Sequence, residues 1–227
     1  MNNTVYLCDC MDYMKGLPDN AFDLAIVDPP YGIGDKAFSR PGKNARPFSA
    51  LYDGHEWTDT APEKEYFIEI MRVASNYIIW GGNYFVLPPS RGFIYWDKVV
   101  YVPNFSAGEL AYSSFQRPSS CFRHQWSGAF KASERGNSNI HPTQKPIALY
   151  KWLLKNYAKP GQTIFDSHVG SGSIRIACHD MGYDFTGCEL DPDYHAAQED
   201  RFNTHKAQGQ LFDPVELTKN EYVQVAL

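Results

Sequence analysis

The chain of 227 residues is 43% hydrophobic and 21% charged with a net charge of −5, the make-up of a globular protein able to bury a full core as one domain. The acidic balance excludes a uniformly basic nucleic-acid binder, and no apolar run is long enough to span a membrane. Met1-Asn2-Asn3-Thr4 lacks the basic and apolar regions of a signal peptide, so a cytoplasmic location is expected; five cysteines without a C-x-x-C pair (Cys8, Cys10, Cys121, Cys178, Cys188) argue for free thiols, against a zinc site and against a disulfide framework.

Val5 to Cys8 reads as a short strand ending at Asp9, and Met11 to Leu17 as a short helix closed by the stretch from Gly16 to Asn20. Phe22 to Val27 is an apolar strand that runs into Asp28-Pro29-Pro30-Tyr31. Two consecutive prolines neither continue a ladder nor enter a helix interior, so the backbone leaves the strand in a fixed extended turn. That turn presents an acid, the Pro29 carbonyl and an aromatic ring together at the carboxyl end of a strand, the edge where open α/β sheets bind ligands. Residues 33–60 have neither a helical nor a strand period, and a loop of that length in a compact domain is usually functional or disordered. Lys36, Arg40, Lys43 and Arg46 crowd this loop.

Thr60 and Glu63 have the spacing of a capping box, with Pro62 just inside the helix and Phe67, Ile70, Met71 and Ala74 on one face. Tyr77 to Trp80 reads as a buried strand stopped by Gly81-Gly82-Asn83. Phe93 to Trp96, Glu109 to Phe115 and Ser120 to His124 read as short antiparallel strands rich in aromatic residues, followed by a polar segment over 125–140. Arg117, Arg123, Lys131, Arg135 and Lys145 form a second concentration of positive charge, and local basic patches hold polyanions even on an acidic protein.

The last third has regular α/β character: a helix over Lys145 to Tyr157, a strand over Thr163 to Asp166, and the turn Gly170-Ser171-Gly172-Ser173 opening a helix from Ile174 to Met181. A further strand covers Asp184 to Glu189, and Asp191-Pro192 starts the final helix. Strand, acid, glycine turn and helix make a unit that cradles a nucleotide-like ligand, because glycine lets the backbone approach closely and a helix start offers free N–H groups. Glu189 ends the next strand, where an acid accepts hydrogen bonds from a ribose diol. The dinucleotide fingerprint is incomplete, with no third glycine after Gly170 and Gly172, and a nicotinamide dehydrogenase leaves Asp28 to Tyr31 unexplained.

Together these motifs resemble those of the β-class S-adenosylmethionine-dependent DNA amino-methyltransferases, in which D-P-P-Y precedes the cofactor glycine motif. Cys8-Asp9-Cys10 and Leu17-Pro18-Asp19-Asn20 resemble the family's opening, and Trp80 to Phe85 with Ser90 to Phe93 resemble its phage-encoded members. His141-Pro142-Thr143-Gln144-Lys145-Pro146 resembles the motif before the cofactor strand, and Phe165-Asp166 through Ser173 the cofactor loop, with Ser167 and His168 where the family usually has Pro and Phe. The resemblance implies an α/β, Rossmann-like methyltransferase fold: a mostly parallel, seven-stranded sheet with one antiparallel edge strand. It also implies a circular permutation that pairs residues 4–8 beside 184–189, DNA-recognition insertions at 33–60 and 97–140, and a partly ordered tail over 207–227.

In the chemistry the resemblance implies, the Asp28 carboxylate and the Pro29 carbonyl accept the hydrogens of an exocyclic amine, Pro30 fixes the turn, and Tyr31 stacks on a base flipped out of duplex DNA. Glu189 is expected at the ribose of S-adenosylmethionine, Asp9 and Cys10 at its adenine, and Thr143, Lys145, Asp166, Gly170 and Gly172 at its methionine end; Asp28, Ser171 and Ser173 are also expected to bind the cofactor, with no metal. The basic residues named above, with Gln116, Gln125 or Asn137, are expected to meet DNA. An acid in the first motif position favours adenine N6 as the target. Cytosine N4, or a DNA-binding module of the same fold with weak turnover, are the alternatives. Gln208-Gly209-Gln210-Leu211-Phe212 resembles the peptide that docks on bacterial sliding clamps, set against a random polar-apolar tail. A stand-alone methylase of a prokaryotic or phage-infected cell is expected, with homodimerisation left open.

Overall fold

The computed structural model describes residues 2–33, 60–100, 106–127, 130–134, 139–141 and 143–208. Eight strands form one sheet: β1 (Asn3–Leu7), β2 (Phe22–Val27), β3 (Ala74–Trp80), β4 (Phe93–Asp97), β5 (Gly108–Ser113), β6 (Ser120–Arg123), β9 (Thr163–Asp166) and β10 (Asp184–Glu189). Their order is β1-β10-β9-β2-β3-β5-β4-β6, and β7 (Trp126–Ser127) and β8 (Phe130–Lys131) pair separately. The helices are α1 (Cys10–Lys15), α2 (Lys64–Val73), α3 (Ile147–Tyr157), α4 (Ser173–Met181) and α5 (Pro192–Ala207).

Helix starts follow local chemistry at two places. The Asp9 side chain accepts the Met11 N–H at 2.7 Å and caps α1, while Asp191 caps α5 ahead of Pro192. The capping box expected from Thr60 and Glu63 does not form: Glu63 is itself the N-cap residue and makes no side-chain cap bond.

β2 reads as a continuous apolar run because both of its faces are covered. On one face Ala25, Val27, Ile79 and Phe165 pack with Met14 of α1 and Phe67, Ile70 and Val73 of α2. On the other, Leu24, Ile26, Ile78, Trp80 and Trp96 pack with Leu149, Leu153 and Leu154 of α3 and Ile174 and Ala177 of α4. The permuted pairing expected at the edge is present, with β1 parallel to β10 from Asn3 opposite Phe185 to Leu7 opposite Glu189.

Three details of the sheet differ from expectation. It has eight strands rather than seven, and its antiparallel strand, β5, lies inside the sheet between β3 and β4, not at an edge. β4 and β6 are parallel, because the chain turns back along β5 and then crosses to the far side of β4, restoring the original direction. The span 97–140, expected as a recognition insertion, therefore supplies two strands of the main sheet. Among the described residues no helix is long and apolar enough to cross a membrane.

β2 and β9 are parallel neighbours, Leu24 opposite Ile164 and Ala25 opposite Phe165. From β2 the chain runs through α2 to β3 on one side. From β9 it runs through α4 to β10 on the other. The carboxyl ends of β2 and β9 thus flank the point where the order of strands reverses, the place where open α/β sheets bind their ligands.

Candidate active site

Asp28 follows β2, and both of its carboxylate oxygens are occupied. The Tyr31 hydroxyl donates to Oδ1 at 2.7 Å, and the Lys145 ammonium forms a short ion pair with Oδ2. Pro29 behind it is buried. The Tyr31 ring is held on several sides: Tyr84 stacks on it at 5.1 Å between centroids, Phe85 meets it edge-on at 6.2 Å, and Lys145 Nζ lies 5.7 Å from its centre. Gly81 closes the remaining space. It sits at φ +71°, and a Cβ placed there would come within 2.4 Å of the ring. Only glycine combines that backbone with that approach.

Lys145 arrives from the segment before α3 with a side chain only 3% exposed, above the fully buried Trp80 ring at 5.3 Å. A second carboxylate shares it: Glu109 at the start of β5 places Oε2 3.1 Å from Lys145 Nζ and 3.4 Å from the Tyr31 hydroxyl. Glu109 Oε1 pairs in turn with Lys98, whose ammonium lies 5.0 Å from the centre of the Trp96 ring. Burial raises the Asp28 carboxyl and Glu109 adds to the rise, against the pull of Lys145. Burial alone would raise Glu109 as well, but Lys145 and Lys98 overcome it and hold that carboxyl at about 2. Burial would neutralise Lys145, and the two acids keep it charged.

At the end of β9, Asp166 is 1% exposed and accepts the His168 N–H at 3.0 Å. Burial pushes its carboxyl up to about 8, with Asp28 and Glu189 adding to the rise. In the turn that follows, Gly170 donates its N–H to Glu189 Oε2 at 2.7 Å, and Asp191 donates to Oε1 at 3.0 Å. Gly172 is the left-handed N-cap of α4, at φ +71°. Arg201 of α5 braces the turn by donating to the Ser171 carbonyl at 2.6 Å and to Ser173 Oγ at 3.0 Å, while its other arm pairs with Glu134 at 2.8 Å. Ser171 and Ser173 also bond to each other at 3.2 Å. The departure at Ser167 and His168 is accommodated locally: Ser167 Oγ bonds to the Tyr66 hydroxyl at 2.6 Å and to His168 Nδ1 at 2.8 Å. Burial lowers His168 to about 4 and keeps it neutral.

Asp9 is exposed at the α1 cap, and Cys10 beside it is half-buried, its thiol pushed up to about 12 by burial and by Asp9. Thr143 bonds to His141 Nδ1 at 3.1 Å. The structure brings Asp28, Tyr31 and Lys145 together and lines up Asp9, Asp166 and Glu189 at the carboxyl ends of neighbouring strands. Lys145 is expected beside the methionine end, yet its ammonium is committed to Asp28 and Glu109. Glu109 and Lys98 are not among the site residues expected from the sequence; Glu109 opens an aromatic-rich strand and Lys98 follows another, and no local motif marks either.

Of the residues expected at DNA, Arg117 lies over the Phe115 and Tyr157 rings and donates to the Asn156 carbonyl at 2.7 Å. Arg123 pairs with Asp97 at 2.9 Å, and Lys131 donates to Asn139 at 2.6 Å. Gln116 and Gln125 are exposed. Lys36, Arg40, Lys43, Arg46, Arg135 and Asn137 lie outside the described residues, as do Leu211 and Phe212 of the tail motif.

The profile of the DNA methylase family matches residues 92–200, the stretch from β4 into α5 that carries Glu109, Lys145, the glycine turn and Glu189. Over that stretch the chain is similar to the N6/N4 DNA methylases. The type II methyltransferase M2.MboI of Moraxella bovis is 23% identical over 248 residues, covering 89% of this chain and 88% of its own length. Among solved structures, the M1.HpyAVI–SAM complex shares 19% identity with a TM-score of 0.52, covering 88% of this chain and 98% of that one. The PvuII DNA methyltransferase, described as cytosine-N4-specific, shares 14% with a TM-score of 0.59, covering 89% and 86%. At these identities the two structures establish the fold, a Rossmann-like α/β methyltransferase sheet.

Proposed function

We propose that this protein is a DNA methylase that transfers the methyl group of S-adenosylmethionine to N6 of an adenine flipped out of duplex DNA. The observation that carries the reading is the Asp28 carboxylate, fixed at the carboxyl end of β2 beside the strand that ends in Asp166.

The acceptor set suits a cationic cofactor. Asp166 is a buried carboxyl whose raised pKa a nearby cation would bring back down, and Asp9, Asp166 and Glu189 stand at the carboxyl ends of three neighbouring strands of the sheet. Glu189 would hold the ribose diol, its orientation set by the Gly170 and Asp191 amides, while Asp9 and Cys10 would flank the adenine and Asp166 the amino group. Gly170, Ser171, Gly172 and Ser173 supply the turn, and Thr143 would reach the cofactor beside His141, which faces Gly170. Bound S-adenosylmethionine supplies a methyl group on a cationic sulfur, needing no metal.

The exocyclic amine of a nucleobase is a poor nucleophile because its lone pair is delocalised into the ring. Asp28 and the Pro29 carbonyl would each accept one amine hydrogen, drawing the nitrogen towards a tetrahedral state with its lone pair exposed. Fixed acceptors in a water-poor site supply most of the acceleration. Pro30 holds the turn, and Tyr31 would stack on the flipped base, which requires its ring to exchange the Tyr84 face for the base. The acid in first position favours adenine. The fold likeness to the PvuII enzyme keeps cytosine N4 as the second reading. Residues 33–60 and 97–140 would provide sequence recognition, with Arg117, Arg123 and Lys131 at the rim of the latter.

Incubation with methyl-labelled S-adenosylmethionine and unmethylated DNA, followed by nucleoside mass spectrometry, tests the reading. Label in N6-methyladenosine supports it, and label in N4-methylcytidine replaces adenine with cytosine. Asp28→Ala should abolish transfer while both ligands still bind; retained transfer removes Asp28 from its role.

A further inference from the structure

The two groups that occupy the Asp28 carboxylate both have a second acceptor in reach. Tyr31 Oη lies 2.7 Å from Asp28 Oδ1 and 3.4 Å from Glu109 Oε2. Lys145 Nζ pairs with Asp28 Oδ2 and lies 3.1 Å from the same Glu109 oxygen. We propose that Glu109 is a positioning residue that receives the Lys145 ammonium and the Tyr31 hydroxyl when Asp28 turns its oxygens to the substrate amine. This inference rests on the amine-acceptor role proposed for Asp28.

The need for such a residue follows from the geometry. An amine hydrogen competes for Asp28 with a buried ammonium and a phenol hydroxyl, and pulling either away without a new partner would strand a buried polar group. Glu109 removes that penalty. A movement of a few tenths of an ångström brings the hydroxyl from 3.4 Å into ordinary hydrogen-bond range of Oε2, and the ammonium is already there. Glu109 itself is anchored from behind: Lys98 engages Oε1, and Lys98 is steadied by the Trp96 ring. The four groups alternate in sign, Asp28, Lys145, Glu109, Lys98, and sum to zero charge. Release of Asp28 thus redistributes an ion pair within the cluster and creates no isolated charge.

The role separates from a purely structural one in the kinetics. Glu109→Gln keeps the shape but removes the charge that competes for Lys145. The expected result is a fall of about 10- to 100-fold in the single-turnover transfer rate, with the Kd of S-adenosylmethionine and of DNA within about threefold of wild type. Lys98→Gln, which only loosens the anchor, should lower the rate less. If Glu109→Gln does not fold, Lys98→Met combined with Glu109→Gln removes opposite charges together and is held to the same criterion. A wild-type transfer rate in the folded variant overturns the proposal, as does a loss confined to ligand binding. Asp28→Asn measured alongside separates the two claims. If Asp28→Asn is inert while Glu109→Gln is fully active, only the role of Glu109 falls; if Asp28→Asn transfers normally, the reading of Asp28 falls with it.

Discussion

Gly81→Ala gives the most quantitative test of how Tyr31 is held. The new Cβ would sit 2.4 Å from Tyr31 Cε1, 2.5 Å from Cδ1 and 2.9 Å from Cζ, where carbon atoms normally rest about 3.5–4.0 Å apart. The ring must retreat by about 1 Å, which stretches the 2.7 Å bond from its hydroxyl to Asp28 beyond hydrogen-bond range. Losing a hydrogen bond to a charged group costs about 1.5–3 kcal/mol, and an alanine at φ +71° adds about 1–2 kcal/mol of backbone strain. The sum, about 3–5 kcal/mol, corresponds to a fall in Tm of roughly 10 °C for a chain of this size. Displacement of about 1 Å in a reacting constellation is worth about 100-fold in rate. Single-turnover transfer and differential scanning calorimetry measure the two effects on one preparation. Gly81→Ala with a wild-type transfer rate would refute the argument that the glycine fixes the ring.

Other substitutions test separate parts of the site. Asp28 must be ionised to accept an amine, and its carboxyl is raised, so transfer should be lost as pH falls through that raised pKa; Lys145→Met removes the opposing pull and should move the acid limb to higher pH, read from rates across roughly pH 5–9. An acid limb that stays in place would remove Lys145 from this role. Asp166 has a folded pKa of about 8 against an ordinary 3.8, so the stability it contributes is complete below the unfolded pKa and is lost as pH rises through the folded one. Asp166→Asn should therefore raise the Tm of the ligand-free protein near pH 8–9 by an amount worth a few kcal/mol, with little gain near pH 4, while weakening cofactor binding; equal Tm at both ends of that range would contradict it. Arg201→Met leaves Glu134 without its ion-pair partner and the glycine turn without its brace. A loss of about 3 kcal/mol, roughly 10 °C in Tm, should accompany weaker S-adenosylmethionine binding by calorimetry; unchanged affinity would show that the turn holds itself.

What the sequence reveals is what local chemistry determines. Asp28, Tyr31, Asp166 and Glu189 are legible because each stands where an apolar strand meets a proline or glycine turn, and the parallel half of the sheet follows from the same runs. Glu109 is not legible in this way. It stands 78 positions from Tyr31 and meets it only because β5 inserts between β3 and β4. Lys145 shows the same limit: neighbours in sequence place it beside Thr143 and Pro146, while its partners come from β2 and β5, 117 residues away in the case of Asp28. The parallel pairing of β4 with β6 is missed for a related reason, since short connections between strands suggest hairpins and the crossing to the far side of β4 has no local mark. Ser167 and His168 look like departures from a motif until Tyr66, about a hundred residues earlier, is seen to complete their hydrogen bonds.

The pairing of β1 with β10 also sets a timetable for a newly made chain. Asn3 meets Phe185 and Leu7 meets Glu189, so the strand synthesised first waits for nearly the last one. At about 5–20 residues per second, the ribosome makes those partners roughly 10–40 s apart. During that interval β2, β3 and α2 can already pack, whereas β1 remains a bare edge and Asp9 has no Glu189 beside it. The acids at that edge are assembled only after the Asp28 turn has had time to form. A translating chain therefore has the Asp28 turn, the proposed acceptor for the amine, before the edge that carries Asp9 and Glu189 exists.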